Sequence, residues 1–185
     1  IIKTDKEIEA MREPCGIVRD ALLLAEEKIK AGMTTMELNN IIEDYIVKSG
    51  AKPSFKGLYG FPAASCISID EQIVHGFPSD RRIKEGEIVS VDIGAFKNGF
   101  HGDAARSLYV GDISPEKAKL IRVTRECFFE GIKGICIGSA LGDIGSQVQR
   151  HAEENGFSVV REMVGHGVGR HLHEDPNVPN YGVAG

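Results

Sequence analysis

The strongest constraint on the fold comes from the segment VDIGAFKNGFHGD, residues 91–103. Asn98-Gly99 lies between two apolar runs, and both residues tolerate the positive φ angles of a two-residue β-hairpin turn. Such a turn places Asp103 opposite Gly94, two positions from Asp92 on the partner strand. Because side chains alternate along a strand, the two aspartates are predicted to lie on one face, diagonally adjacent. A three-residue loop would instead separate them.

Two carboxylates this close on a mostly apolar sheet repel each other and lose hydration. An unpaired buried carboxylate costs roughly several kcal/mol, so a compensating group is expected between them. Either one carboxyl group is protonated, or a basic side chain or a metal ion lies there. The alternative without a site is that Asp103 pairs with Arg106 and that Asp92 lies at an exposed strand end.

Three histidines have sequence surroundings suited to a site. His166 stands between glycines in GHGVG, His173 follows in HLHEDP, and His75 closes the apolar segment IVHGFP. Imidazole nitrogen and carboxylate oxygen together suit Mn, Fe, Co or Zn, and paired ions about 3.5–4 Å apart generate hydroxide from water. Metal-assisted hydrolysis is therefore the hypothesis that these residues favour. His101 and His151 are predicted to be surface residues.

Helices and strands are predicted around this hairpin. Amphipathic periodicity predicts four helices: residues 4–31, residues 34–50, a helix opening at Ser114-Pro115, and residues 141–155. Thr4 and Glu7 form a capping-box start. Runs rich in β-branched residues predict strands at residues 66–69, 88–91 and 158–160, followed by a Gly- and His-rich loop. The second and fourth helices share a glycine spacing compatible with an internal duplication.

Composition excludes several classes of function. The net charge is −5 and no basic run exceeds Arg81-Arg82, so nucleic acid is not an expected partner. No apolar stretch approaches the roughly 20 residues that span a bilayer, and residues 1–11 lack a signal-peptide core. The four scattered cysteines are typical of reduced thiols. We therefore expect one cytoplasmic domain without membrane contact.

Four motifs occur in an order that resembles type I methionine aminopeptidases: CISI leading to His75-Gly76, then VDIG, GFHGD and GHGVG. The resemblance covers essentially the whole chain. It implies an α+β pita-bread fold, with a pseudo-twofold antiparallel sheet and helices on the outer face, as a single catalytic domain over residues 1–185. The implied function is metal-dependent removal of the N-terminal methionine from nascent proteins, through a hydroxide activated by two metal ions.

The resemblance also implies roles for individual residues. Asp92 is expected to ligate one metal ion, Asp103 to bridge two, and His166 to ligate the other. His75 and His173 match the family's two active-site histidines, which contact the substrate and stabilise the tetrahedral oxyanion. The implied cofactors are two divalent ions, of Co, Mn, Fe or Zn.

A pocket for the methionine side chain is implied at Phe61, Cys66 and Leu172. The family often carries Tyr in place of Phe61 and Phe in place of Leu172, so this pocket departs from the usual pattern. The alternative for all three residues is ordinary core packing.

One departure concerns two further metal-ligating glutamates, one of them the general base, which the family supplies from a C-terminal part. Glu174 belongs to the HEDP motif and cannot replace them. We therefore expect an incomplete second half, weak metal binding and much lower activity for this 185-residue form. The expected partners are the N-terminal methionine of nascent peptides and, transiently, the ribosome, for a monomeric enzyme.

Two other functions stay open from the sequence. A binding protein could keep the pita-bread shell without catalysis, but non-catalytic relatives typically lose metal ligands that are present here. A proline-directed relative, such as aminopeptidase P or prolidase, usually carries an extra N-terminal domain. In this chain the catalytic-type helices begin at once.

Overall fold

The computed structural model describes residues 1–185, which form two compact units. The hairpin unit comprises residues 2–113 and 168–173, and the helical unit comprises residues 1, 114–167 and 174–185. The elements are α1 (Asp5–Lys28), α2 (Thr35–Lys48), β1 (Lys52–Pro53), β2 (Ser65–Ile69), β3 (Ile88–Lys97), β4 (Phe100–Tyr109), α3 (Pro115–Ile132), α4 (Leu141–Glu154), β5 (Gly165–Gly167) and β6 (Glu174–Val178). None of the helices has the length and apolar character needed to cross a membrane.

The two helices of the hairpin unit begin at capping boxes. The Thr4 side chain accepts from the backbone of Glu7, whose carboxylate accepts in return, which confirms the predicted start of α1. Thr34 and Glu37 repeat the arrangement at α2. The helix α1 ends at Lys28, earlier than predicted, because Ile29 adopts an extended backbone conformation.

The sheet of the hairpin unit is antiparallel and centred on β3. Strand β4 pairs with all ten residues of β3, while β1 and β2 pair with shorter parts of it. Asn98 and Gly99 have φ angles of 57° and 81°, and Lys97 pairs directly with Phe100 across them. The predicted two-residue turn is therefore confirmed.

One face of this sheet packs against α1 and α2. Alternate residues of β3 are fully buried there: Val89, Val91, Ile93 and Ala95. The same core contains Val18 and Ala21 of α1 and Leu38, Ile42 and Ile46 of α2. The helix α1 lies very close to β4, since a Cβ atom on Gly102 would stand 2.6 Å from the backbone nitrogen of Cys15. Because side chains alternate, Asp92 and Asp103 lie on the opposite face.

The helical unit is built on the pair α3 and α4. Ser114 caps α3 and Pro115 occupies its first turn, as predicted. Val123 and Cys127 pack against Ala152, with Phe157 and Val159 alongside. The predicted strand at residues 158–160 is wrong, because this apolar run packs on the helices instead of pairing with a strand. The tail, predicted as loop, contains the short antiparallel pair β5 and β6.

Candidate metal centre and substrate pocket

Asp92 and Asp103 lie on one face of the β3–β4 hairpin. Asp92 pairs with Ala105, and Gly94 pairs with Asp103, which confirms the predicted register. The pKa of Asp92 is raised from 3.8 to about 7, first because the carboxyl group is buried and then because Asp103 is negatively charged. A hydrogen bond from the Ile93 backbone lowers it only partly. The pair is therefore poised between a shared proton and a bound cation.

The alternative that Asp92 lies at an exposed strand end, outside any site, is wrong. This residue lies in the interior of β3, paired with Cys66 on one side and Ala105 on the other, so it is not at a strand end. Arg106 lies three positions from Asp103 on β4 and therefore points to the other face, where it forms an ion pair with Glu26 at 3.1 Å.

An apolar cluster lies beside the carboxylate pair. Cys66, which pairs with Asp92 across the sheet, packs with Leu172 and Phe55; their exposed fractions are 6%, 5% and 8%. Phe61 packs against this cluster and is partly buried, so the structure brings the three predicted pocket residues together. Burial, and then the charges of the two aspartates, raise the pKa of Cys66 to about 12, so its thiol stays protonated and acts as an apolar group.

Phe55 belongs to this cluster although the sequence did not indicate it. Its ring lies over Gly94, where an added Cβ atom would stand 2.7 Å from the Phe55 ring. Gly94 pairs with Asp103, so the Phe55 ring occupies the space that a side chain at Gly94 would take, beside the carboxylates. In the sequence, Phe55 is an isolated aromatic residue shortly after Pro53, which is a weak indication of a pocket residue.

His75 stands at a strained turn next to β2. Its φ angle of 59° lies in the left-handed region, which is unfavourable for residues other than glycine. Gly76 is held by β2, because its carbonyl accepts from the Ile67 backbone at 2.9 Å and its N–H donates to Ser68 Oγ at 3.0 Å. A Cβ atom on Gly76 would stand 2.2 Å from the Ile67 oxygen. The exposed imidazole of His75 is therefore presented from a fixed backbone.

His173 follows buried Leu172 in the loop of residues 168–173 and is exposed. The loop is attached to β4, since the His101 backbone N–H donates to the Gly169 carbonyl at 2.8 Å. The prediction that His101 is a surface residue is wrong. Its ring is half-buried against Phe96, and its Nδ1 atom lies 2.8 Å from Ser54 Oγ.

The position of His101 along the strand indicates that it belongs to the site. It lies two positions before Asp103 on the same strand, so both side chains share the face of the carboxylate pair. Its neighbour in the sheet, Phe96, then covers the ring. His101 thus borders the candidate site.

His166 lies in β5 of the helical unit and is half-buried. Its Nδ1 atom is 2.9 Å from the Gly167 carbonyl oxygen, an acceptor that fixes the ring orientation. The other histidine of this unit, His151, lies 3.0 Å from a carboxylate oxygen of Glu126, and its side chain is 24% exposed, in agreement with the predicted surface position.

The sequence profile of metallopeptidase family M24 matches residues 9–184. The chain belongs to metallopeptidase family M24. Two M24 methionine aminopeptidases are similar over its whole length. The enzyme of Clostridium perfringens is 53% identical over 185 residues, which are 100% of this chain and 74% of that protein. The crystal structure of the Thermotoga maritima enzyme matches with a TM-score of 0.97 at 44% identity, covering 100% of this chain and 75% of that one.

Similarity to a solved prolidase is lower. The prolidase of Pyrococcus furiosus matches with a TM-score of 0.86 at 28% identity, covering 98% of this chain and 52% of that one. The expected α+β pita-bread fold is confirmed by these neighbours, and so is the predicted resemblance to methionine aminopeptidases.

Membership of the M24 metallopeptidases implies a divalent metal cofactor. The residues of the hairpin unit fit one, because Asp92 and Asp103 are hard oxygen donors whose mutual repulsion a cation would relieve. No group of three or more His, Cys, Asp or Glu side chains in the structure could hold a metal ion. The fit to a cation therefore depends on the carboxylate pair.

Proposed function

We propose that this chain is a metal-dependent aminopeptidase that removes the N-terminal methionine from peptides. The observation that carries the proposal is a pair of same-face carboxylates, Asp92 and Asp103, beside the buried apolar cluster of Cys66 and Leu172. A charged site next to an apolar pocket suits a peptide whose N-terminal residue has an apolar side chain. The family and the relatives named methionine aminopeptidase support the same activity.

From the family resemblance, Asp92, Asp103 and His166 are the residues proposed to hold the divalent metal ions. When bound, divalent ions at such a site polarise a carbonyl oxygen and lower the pKa of water. The chain contributes rigid donors: two carboxylates on a hairpin of uninterrupted register, and an imidazole whose Nδ1 atom is fixed by a backbone carbonyl.

Substrate binding is assigned to the apolar cluster and the two exposed histidines. Phe61, Cys66 and Leu172 would surround the methionine side chain and exclude water from it. His75 and His173 can donate imidazole N–H groups to the substrate carbonyl oxygen and stabilise the negative charge that it gains during hydrolysis. The strained but fixed backbone at His75 would hold one donor in place.

The alternatives are less well supported. A proline-directed activity agrees less well with the comparisons, because identity to the prolidase is 28% against 53% to a methionine aminopeptidase. A binding protein without catalysis is not favoured, because the similar relatives are named methionine aminopeptidases. A cytoplasmic location, a transient ribosome contact and a monomeric state stay predictions.

Initial rates on Met-Ala-Ser and on Xaa-Pro peptides, with added Mn or Co, test the proposal. They should be measured for this chain and for a form extended to the length of the relatives. We expect cleavage of Met-Ala-Ser and no cleavage of the Xaa-Pro peptides. The activity on Met-Ala-Ser should be lost in Asp92→Asn and Asp103→Asn but not in the matched surface variant Asp80→Asn. No cleavage by either form despite bound metal would show that the proposed function is wrong.

A further inference from the structure

Arg170 connects the loop of residues 168–173 to two other parts of the hairpin unit. Its guanidinium forms an ion pair with Glu7 Oε1 at 3.0 Å and lies 4.6 Å from the centre of the Phe100 ring. Glu7 belongs to the first turn of α1, and Phe100 is the first residue of β4. One side chain therefore ties the loop to both the helix and the hairpin.

The two carboxylate oxygens of Glu7 accept hydrogen bonds from different partners, Thr4 and Arg170. Oε2 accepts from the backbone and the hydroxyl group of Thr4, both at 2.9 Å, and completes the capping box. Oε1 accepts from Arg170 at 3.0 Å. The pKa of Glu7 is lowered, first by the Thr4 backbone, then by the Thr4 hydroxyl and then by Arg170, so the carboxylate is ionised for both tasks.

The backbone on either side of Arg170 completes the attachment. The preceding carbonyl, of Gly169, accepts from the His101 N–H on the outer edge of β4, and the Gly169 N–H donates to the His171 carbonyl at 3.0 Å. The chain then turns so that Leu172 enters the apolar cluster with Cys66. The position of Leu172, and of His173 after it, thus depends on how firmly the preceding residues are held.

We propose that Arg170 is a positioning residue, which through Glu7 and Phe100 fixes the loop of residues 168–173 and so sets the pocket wall formed by Leu172. The inference rests on the proposed function for its kinetic consequence, but the attachment itself is a property of the fold. Side chains of Arg170 and Glu7 are 61% and 26% exposed. Ion pairs this exposed contribute little to global stability, so the expected effect is on the geometry of the loop.

The test uses variants that separate the anchor from the helix cap. Arg170→Met removes the charge but keeps an aliphatic stem, and Arg170→Lys restores the charge without the planar group. Glu7→Gln keeps a capping-box residue while weakening the pair, since Gln also serves at that position. Arg12→Met is the matched control, because Arg12 forms an ion pair at 2.8 Å with Glu9 on the same helix.

Two measurements decide the proposal. Hydrogen exchange of the His101 amide reports the bond to Gly169, and we expect it to be about 10-fold faster in Arg170→Met. The KM for Met-Ala-Ser should rise about 5- to 10-fold with kcat changed less than about 2-fold, whereas a smaller folded fraction would lower apparent kcat and leave KM unchanged. Arg170→Lys and Glu7→Gln should fall between wild type and Arg170→Met, and Arg12→Met should match wild type.

Unchanged His101 exchange in Arg170→Met would overturn the proposal, and so would faster exchange with an unchanged KM. If neither this chain nor the extended form cleaves the methionine peptide despite bound metal, the proposed function fails, while the exchange comparison still decides whether Arg170 fixes the loop.

Discussion

Asp103 lies diagonally across the β3–β4 hairpin from Asp92, on the same face, and its charge adds to burial in raising the pKa of Asp92 to about 7. A group that the unfolded chain would ionise near pH 3.8 therefore keeps its proton close to neutrality in the folded, metal-free state. The arrangement that suits a cation is thus unfavourable for folding when no cation is present.

This unfavourable pair predicts how stability depends on pH. Between about pH 4 and pH 7 the folded state binds more protons at Asp92 than the unfolded state, so this group's contribution to the free energy of unfolding falls as the pH rises. Asp92→Asn removes that penalty. In the presence of a chelator, we expect it to stabilise the chain at pH 8 by about 2–4 kcal/mol and to have little effect below about pH 4.

Urea denaturation of wild type and Asp92→Asn at several pH values measures this difference. The exposed Asp80→Asn serves as a control and should show no comparable gain at pH 8. Equal stability of Asp92→Asn and wild type across the range would mean that Asp92 is not buried beside a charged neighbour.

Asn39 is the buried polar link between α2 and the start of β2. Its Oδ1 atom accepts from the Ala64 N–H at 3.0 Å and from the N–H and hydroxyl groups of Ser65 at 3.1 and 3.0 Å. Asn39→Leu would leave these donors without an acceptor, and we expect a loss of about 3 kcal/mol or more in the free energy of unfolding. The exposed neighbour variant Asn40→Leu should change it little, and an equal loss in both variants would show that the hydrogen bonds accepted by Asn39 are not the cause.

Gly102 allows α1 to approach β4. An added Cβ atom would stand 2.6–2.8 Å from backbone atoms of Pro14 and Cys15, which cannot move as a flexible side chain could. We therefore expect Gly102→Ala to lower the free energy of unfolding by about 1–3 kcal/mol. Gly16→Ala, in α1 with open space around the site, should instead raise it by about 0.5–1 kcal/mol. Thermal unfolding of both variants makes the comparison, and a neutral Gly102→Ala would contradict it.

His75 combines a proposed catalytic role with backbone strain. Replacing it with alanine or glycine removes the imidazole in both cases, but only glycine adopts a φ of 59° without strain. We expect the two variants to lose activity equally, and His75→Gly to be more stable than His75→Ala by about 1 kcal/mol. Calorimetry and peptide assays on the pair separate strain from chemistry. Wild-type activity in either variant would show that the imidazole is not required.

The features that the sequence predicted correctly are local ones. The Asn98-Gly99 turn has a strong preference for its backbone conformation, and the alternation of side chains then places the two aspartates without further information. The capping box of Thr4 and Glu7 is similarly complete within one helical turn. The register of the hairpin and the start of α1 could therefore be derived residue by residue.

The features that it missed depend on contacts between distant segments. Phe55 joins the pocket cluster because Gly94, far along the chain, leaves room for its ring. His101 is half-buried because Ser54 and Phe96 meet it. The run at residues 158–160 has the composition of a strand, but Val159 packs against the buried cluster of the nearby helices and the run pairs with no strand.

The central position of β3 has a consequence for the order in which parts of the hairpin unit open. Its ten residues are paired with β4 along their whole length and with β1 and β2 over the other side, so its amides should be released only when the whole unit unfolds. Asp92 lies on β3, which is expected to open last, whereas His173 lies on a loop that is held by surface contacts. Local opening of the loop of residues 168–173 can therefore expose the apolar pocket to solvent while Asp92 keeps its position on β3.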